Sequence, residues 1–177
     1  MKKEILNRIN GLVLEVLFRG FRVLYKEDSR VRREIGSWQK DLTLKLVCGP
    51  GGAVLAMKRD RTNGVRRIPR AQKTDITMRF KSVEGAFRVL SGQKSVEDAY
   101  AEHLFFLEGD IFQTMSFVRC VEYLEAYLFP KVMTKRILKE VPSKELHSLQ
   151  VYARALLENG RKRYFSRIRN AHWLRIP

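Results

Sequence analysis

The segment from Thr74 to Asp110 constrains the fold most, because strand-like and helix-like patterns follow one another in it in a fixed order. It begins as an alternating strand, whose apolar side carries Ile76, Met78 and Phe80. A helix is predicted over residues 83–90, and a second, shorter helix begins at Ser95. Residues 104–107 form a final apolar strand. The segment therefore predicts strand, helix, short helix and strand.

The rest of the chain adds three strands before this segment and helices on both sides of it. Strands are predicted at residues 42–48, 53–59 and 65–68, joined by turns at Gly49-Pro50-Gly51-Gly52 and Asn63-Gly64. Helices are predicted at residues 4–26 and 111–129, after Pro130, and from Pro142 to about Asn159. The sequence predicts an α+β fold. Its sheet is antiparallel (mixed), with about five strands covered by helices on one face and helical extensions at both ends.

Several short pieces of the chain resemble the sterol carrier protein type-two (SCP-2-like) family of lipid-binding domains. They are Trp38, Gly49-Pro50-Gly51-Gly52, Asp75-Ile76-Thr77, Gly92, Ala99-Tyr100 and Leu107-Glu108-Gly109-Asp110. The chain departs from the family at Ala101-Glu102-His103, where the family usually has a glycine. The resemblance implies a lipid tunnel between sheet and helices, with the helices from Ile111 to Leu156 as its lid.

Large apolar side chains are expected to face the space under the helices. The candidates for ligand contact are Leu44, Leu46, Ile76, Met78, Phe80, Phe87, Phe106, Phe112, Met115 and Phe117. If the helices close tightly on the sheet, these side chains form an ordinary core. If room remains, they line a cavity for an acyl chain or a sterol-like ring. The resemblance favours the cavity, and with it the non-covalent binding or carriage of a hydrophobic small molecule.

The net charge of +16 is concentrated in two segments. Residues 58–73 hold seven basic residues and one acidic residue, and residues 159–177 hold six basic residues and no acidic one. The predicted anion contacts are Arg66, Arg67, Arg70, Arg161, Lys162 and Arg163. Such patches fit an anionic membrane surface, or they are simply solvated. Aromatic residues within the last segment also suit nucleic acid, which is the weaker alternative.

The first predicted helix carries two apolar stripes, more than one packed side requires. One stripe is Ile5, Ile9, Leu12, Val16 and Leu17, and the other is Leu14, Phe18, Phe21 and Tyr25. Three interpretations stay open: burial on two sides, a homodimer or partner contact, or a helix in a membrane interface. Residues 27–34 are highly charged and are interpreted as a linker or a helix end. The predicted organisation is an N-terminal helix at 1–34, a ligand-binding domain at 35–158 and a basic, aromatic-rich tail at 159–177.

No residue pattern points to catalysis or to a metal site. The histidines are scattered, at His103, His147 and His172. Glu122 and Glu125 are one helical turn apart and are interpreted as a polar edge, because a catalytic pair would need burial that a sequence does not show. Cys48 and Cys120 fit no zinc or CxxC spacing, and we predict buried thiols. The sequence therefore predicts a protein that is not an enzyme and uses no cofactor.

Charged residues interrupt every apolar run of the first helix, at Arg8, Glu15 and Arg19. Neither a signal peptide nor a membrane-spanning helix is therefore expected there. The expected location is cytoplasmic.

Overall fold

The computed structural model describes residues 2–128 and Ala153. The elements are α1 (Lys2–Glu27), α2 (Ser29–Ser37), β1 (Thr43–Val47), β2 (Val54–Asp60), β3 (Gly64–Arg67), β4 (Ile76–Phe80), α3 (Val83–Leu90), α4 (Val96–Ala101), β5 (Phe105–Glu108) and α5 (Ile111–Leu128). Apart from Ala153, the helices predicted beyond Pro130 and the tail at 159–177 lie outside the described residues. The predicted anion contacts Arg161, Lys162 and Arg163 lie outside them too.

The five strands form one mixed sheet in the order β3-β2-β1-β4-β5. Neighbouring strands are antiparallel except for β1 and β4, which are parallel. The parallel pair arises because the chain leaves β3 at one edge and returns on the far side of β1. β3 lies at the edge of the sheet. Pro69, just after this strand, predicts an edge or a break there, because proline cannot donate to a strand ladder. The predicted α+β class with about five strands is confirmed.

The two faces of the sheet differ because successive strand residues point to opposite sides. The inner face carries the buried side chains Leu44, Leu46, Leu55, Met57, Val65, Ile76, Met78, Phe80 and Phe105. Leu17 of α1, Ala86 of α3 and Phe117 of α5 belong to the same apolar core. These helices therefore cover the inner face. The outer face instead exposes polar and charged side chains such as Arg66 and Arg79.

Asp75 fixes the end of the parallel strand pair. Its Oδ2 accepts hydrogen bonds from the backbone N–H of Thr43 at 2.9 Å and from the Thr43 hydroxyl at 2.6 Å. These hydrogen bonds lower the pKa of Asp75. Gly109 packs against the backbone of Asp75 at the same end of the sheet. Its φ of 118° favours glycine, and a Cβ there would lie only 2.3 Å from the backbone oxygen of Asp75. Two residues that carry the family resemblance thus have a structural role.

Residues 27–34, interpreted from their charge as a linker or helix end, belong mostly to helix α2. The helix begins because Asp28 is its N-cap and accepts from the backbone N–H of Arg30 at 2.9 Å and of Val31 at 3.3 Å. Val31 and Ile35 are fully buried. The helix therefore has a narrow apolar face among its charged residues, and the core holds it there.

The Asp28 side chain is fully buried at the junction of α1, α2 and α5. Its Oδ2 accepts hydrogen bonds from Arg30 Nη2 at 2.7 Å and from the Tyr127 hydroxyl at 2.8 Å. Burial alone would raise the pKa of Asp28, but the hydrogen bonds from Arg30 and Tyr127 outweigh it and hold the pKa below its usual value. Asp28 therefore stays ionised and joins three helices.

Helix α1 is buried mainly along its second half. The buried apolar side chains of this helix are Leu14, Leu17, Phe18, Phe21, Val23 and Leu24. Near its start, Ile5 is 54% exposed and Leu12 is 65% exposed. Within the described part of the chain, α1 is therefore not buried on two sides along its length. The homodimer and membrane interpretations of the exposed stripe stay predictions.

Candidate functional site

A cavity of about 50 Å³ lies between the inner face of the sheet and four helices. Its lining residues are Val13, Leu17, Leu46, Met78, Phe80, Val89, Leu90, Val96, Phe117, Val118, Val121, Leu124, Glu125 and Leu128. Most of these side chains are buried and form the floor of the cavity. Four of them, Val13, Leu90, Val96 and Leu128, are half-buried, and we call these four the rim. The cavity is therefore apolar, with a partly accessible edge.

Helix α5 supplies six of the lining residues, at positions set by helical periodicity. Positions three and four apart share one face of a helix, so Val121, Leu124 and Leu128 follow Phe117 on the side facing the sheet. Gly20 allows α1 to approach this face, since a Cβ there would lie 2.4 Å from Leu124 Cδ1. The close approach of the two helices bounds the cavity on that side.

Phe117 connects the floor of the cavity to the aromatic part of the core. Its ring centroid lies 5.7 Å from that of Phe21 and 6.3 Å from that of Trp38. The indole Nε1 of Trp38 donates to the Ser116 hydroxyl at 2.9 Å, and that hydroxyl donates to Glu34 Oε2 at 2.6 Å. These contacts fix the rotation of α5, so that Phe117 points inward.

Glu34 also receives two hydrogen bonds from the guanidinium of Arg119, at 2.8 and 3.0 Å. The hydrogen bonds from Arg119 lower the pKa of Glu34, against the effect of burial. The ion pair is partly exposed, and its geometry is bidentate. It connects α2 to the outer side of α5.

Glu125 is the one polar residue among those that line the cavity. It is 9% exposed, and burial raises its pKa to about 8, with a further rise from the charge of Glu122. The carboxyl group is therefore mainly protonated at neutral pH. The interpretation of Glu122 and Glu125 as a plain polar edge is wrong for Glu125.

The structure brings together four of the ten predicted ligand contacts. Leu46, Met78, Phe80 and Phe117 line the cavity. Leu44 and Ile76 are buried on the same face of the sheet, and Phe87 is half-buried on α3, but none of the three borders the cavity.

The three other predicted contacts are exposed and do not border this cavity. Phe106 is 56% exposed and lies on the outer face, because its neighbour Phe105 takes the inward position opposite Phe80. Phe112 and Met115 are 80% and 48% exposed, since the first turns of α5 turn these positions away from the core. The side chains that sequence reasoning missed, such as Val118 and Val121, follow the helical spacing set by Phe117.

The predicted anion contacts Arg66, Arg67 and Arg70 lie in different surroundings. Arg66 is exposed on the outer face of the sheet. Arg67 forms an ion pair with Glu15 and lies 4.6 Å from the ring centroid of Phe18, which ties the edge strand to α1. Arg70 is exposed after the same strand. These three arginines therefore do not form one continuous surface.

Two solved structures to which this chain is similar are sterol carrier proteins. Sterol Carrier Protein 2 Like 2 from Aedes aegypti is 17% identical, with 52% of this chain and 93% of that chain covered and a TM-score of 0.34. Sterol carrier protein domain 2 of Helicoverpa armigera is 18% identical, with coverage of 71% and 93% and a TM-score of 0.39. No protein-family model and no curated protein matches the sequence.

Both cysteines are buried free thiols, as predicted. Burial raises the pKa of Cys48 to about 12, and it raises that of Cys120 further. In the described residues, no three potential ligand side chains are grouped as a metal site would require. No helix in that part of the chain combines the length and the apolar character needed to cross a membrane.

Proposed function

We propose that this chain binds or carries a hydrophobic small molecule in the cavity between the sheet and the helices, without catalysis. The supporting observation is the lining, in which thirteen of fourteen residues are apolar. Pockets of this kind gain affinity by removing apolar ligand surface from water, at about 0.8 kcal/mol per buried methylene. The side chains come from the sheet and from four helices, so a ligand there would contact most of the fold.

An acyl chain fits this cavity better than a sterol-like ring system does. One water molecule needs about 10–15 Å³ of such space, so the cavity of about 50 Å³ has room for only a few waters. A ligand must therefore displace side chains to enter, and the half-buried rim offers those that move at least cost. A flexible chain can enter a narrow opening one methylene at a time, whereas a rigid ring needs a wide one. We therefore infer an acyl lipid.

The proposal predicts that affinity rises with chain length until the cavity is filled. In titration calorimetry, 1-decanol should bind about 1.6 kcal/mol more tightly than 1-octanol, or about 15-fold, if both added methylenes are buried. Replacing Val118 by phenylalanine places a ring in the cavity and should weaken decanol binding at least tenfold. The matched control is Met115→Phe, which enlarges an exposed side chain of the same helix and should leave the affinity unchanged.

Organic extraction of the freshly purified protein, followed by mass spectrometry, would identify a ligand that is retained. An unaffected Val118→Phe variant would show that the alcohol does not enter this cavity, whereas equal affinity of the two alcohols combined with a weakened Val118→Phe variant would show that eight carbons already fill it. If neither alcohol binds and the extract is also empty, the proposed function is wrong and the space is a minor defect of a closed core.

A second proposal concerns the outer face of the sheet, which we propose docks on an anionic membrane. The basic residues of this face and its edge are Lys45, Lys58, Arg66, Arg79 and Lys81. Lys58 pairs with Asp41 at 2.8 Å, but Arg79 and Lys81 are exposed. Phe106 is exposed beside them, with the ammonium of Lys81 5.0 Å from its ring centroid. Cations around an exposed aromatic ring suit the headgroup region of a bilayer.

The double variant Arg66→Gln/Arg79→Gln should bind anionic vesicles about 30-fold more weakly, since each basic residue near such a surface contributes about 1 kcal/mol. Co-sedimentation with vesicles containing phosphatidylserine, compared with pure phosphatidylcholine, measures the change. The control is Arg88→Gln, which removes one exposed charge from α3, on the side of the sheet that the helices cover. This variant should bind the vesicles as the wild type does. Binding of the double variant that equals the wild type would exclude the outer face as the docking surface.

A further inference from the structure

Glu125 occupies a position where an apolar residue would be expected. It lies on the face of α5 that also carries Val121 and Leu128, and these two residues border the same cavity. Within residues 2–128 we find no hydrogen bond or ion pair made by its carboxyl group. A buried polar group without a partner costs free energy that a leucine would not cost, so its presence calls for an explanation.

Among the described residues, those that border the cavity with Glu125 supply neither a cation nor a hydrogen-bonding side chain. Towards it, α1 contributes Val13 and Leu17, α3 and α4 contribute Val89, Leu90 and Val96, and the sheet contributes Leu46, Met78 and Phe80. Within the described part of the chain, the charge that raises its pKa is the negative charge of Glu122, a helical turn earlier on α5. Any additional anion near Glu125 would therefore face repulsion at low dielectric.

We propose that Glu125 recognises the polar headgroup of the ligand, and that this headgroup donates a hydrogen bond and carries no negative charge. This inference rests on the proposed function and gives its ligand a chemical class: a single-chain amphiphile ending in an alcohol or an amine. A hydroxyl group exchanges hydrogen bonds with the protonated carboxyl, which is both donor and acceptor. An ammonium group instead stabilises the carboxylate as an ion pair.

A free fatty acid is the amphiphile that this arrangement disfavours. Its carboxylate would enter an apolar space bordered by Glu125, with the negative charge of Glu122 one helical turn away. Protonated Glu125 can donate one hydrogen bond to that carboxylate, but it offers no positive charge, and the charge of Glu122 repels the anion in a space of low dielectric. The chain of the fatty acid gains the same burial as that of an alcohol, so the difference in affinity reports the headgroup alone.

The experiment compares three ligands of equal chain length, 1-decanol, decylamine and decanoate, by titration calorimetry at pH 7. Wild-type protein should bind decanol or decylammonium at least tenfold more tightly than decanoate. Glu125→Leu should bind decanoate at least as well as the wild type does and should lose the preference. Glu125→Gln keeps the size and the hydrogen-bonding capacity of the side chain but cannot become negatively charged. This variant should therefore still bind decanol and should lose its affinity for decylammonium. Glu84→Gln, which removes an exposed carboxylate of α3, is the control and should keep the wild-type preference.

The outcomes separate this inference from the function on which it rests. Suppose that decanoate binds wild-type protein as tightly as the other two ligands do and that Val118→Phe blocks the binding of all three. The ligands then bind in the cavity as proposed, but Glu125 does not select their headgroup. An unchanged preference in Glu125→Leu overturns that role as well. If none of the three binds, both proposals are overturned. Far-ultraviolet circular dichroism of each variant confirms that the comparison is made between folded proteins.

Discussion

Replacing Asp28 by alanine is expected to lower the free energy of unfolding by about 3–5 kcal/mol. The substitution removes the N-cap of α2 and leaves the Arg30 guanidinium and the Tyr127 hydroxyl without their shared acceptor in a buried site. The lost hydrogen bonds are costly because one involves a charged group and the site is poorly solvated. Urea unfolding followed by circular dichroism measures the change. Tyr127→Phe removes only one of the hydrogen bonds and should cost about 1–2 kcal/mol.

The pH dependence of stability provides an independent measure of the same site. The folded-state pKa of Asp28 is lowered, so its contribution is present above the pKa of the unfolded state and is lost as pH falls through the folded-state value. The wild type should therefore lose stability below about pH 4, the usual range of an aspartate, more steeply than Asp28→Asn does. Identical acid profiles, or a loss below 1 kcal/mol for Asp28→Ala, would show that Asp28 does not connect the three helices as described.

Replacing Phe117 by alanine is expected to cost about 3–5 kcal/mol and to enlarge the candidate cavity. The side chain is 3% exposed, borders the cavity and packs against Phe21 and Trp38 on its other side. Its removal creates an apolar space that the surrounding rings refill only in part. Thermal unfolding with toluene present should therefore raise the Tm of the variant more than that of the wild type, because a ligand of the folded state stabilises it.

Two controls test the position of Phe117. Phe112→Ala removes the same ring from an 80% exposed site of the same helix and should change stability by less than about 0.5 kcal/mol. Phe117→Leu keeps most of the volume and should cost about 1.5 kcal/mol or less. A small effect of Phe117→Ala, or an equal effect of Phe112→Ala, would contradict the inward orientation of Phe117 that the Trp38–Ser116 hydrogen bond supports.

Much of the fold could be predicted from local patterns in the sequence. The alternation of Ile76, Met78 and Phe80 gives the strand and its buried side, because a strand has a period of two residues. Ser95 begins α4, where it accepts from the backbone N–H of Asp98 at 3.0 Å, as its spacing predicts. Pro69 predicts an edge or a break at β3, and β3 lies at the edge of the sheet. Each of these features depends on residues close together in the chain.

The site was predictable only in part. Leu46, Met78, Phe80 and Phe117 were found because strand alternation and helical spacing point them inward. Phe106 was assigned from the sequence to the inner face, although it lies on the outer face. Two consecutive phenylalanines occur in β5, and only the pairing of Phe105 with Phe80 decides which of them is buried. Helix α2 was not predicted because its sequence is highly charged and its buried apolar face consists only of Val31 and Ile35.

The sequence by itself determined the order of the strands and of the described helices other than α2, the α+β class and the apolar inner face, because periodicity and turn residues act over short distances along the chain. Only the tertiary structure decided the environment of single side chains. Asp28 meets Tyr127, ninety-nine residues away, and Glu125 is enclosed by side chains of a sheet and other helices. Burial and protonation depend on the partners that surround a group in space, and a local pattern does not specify those partners.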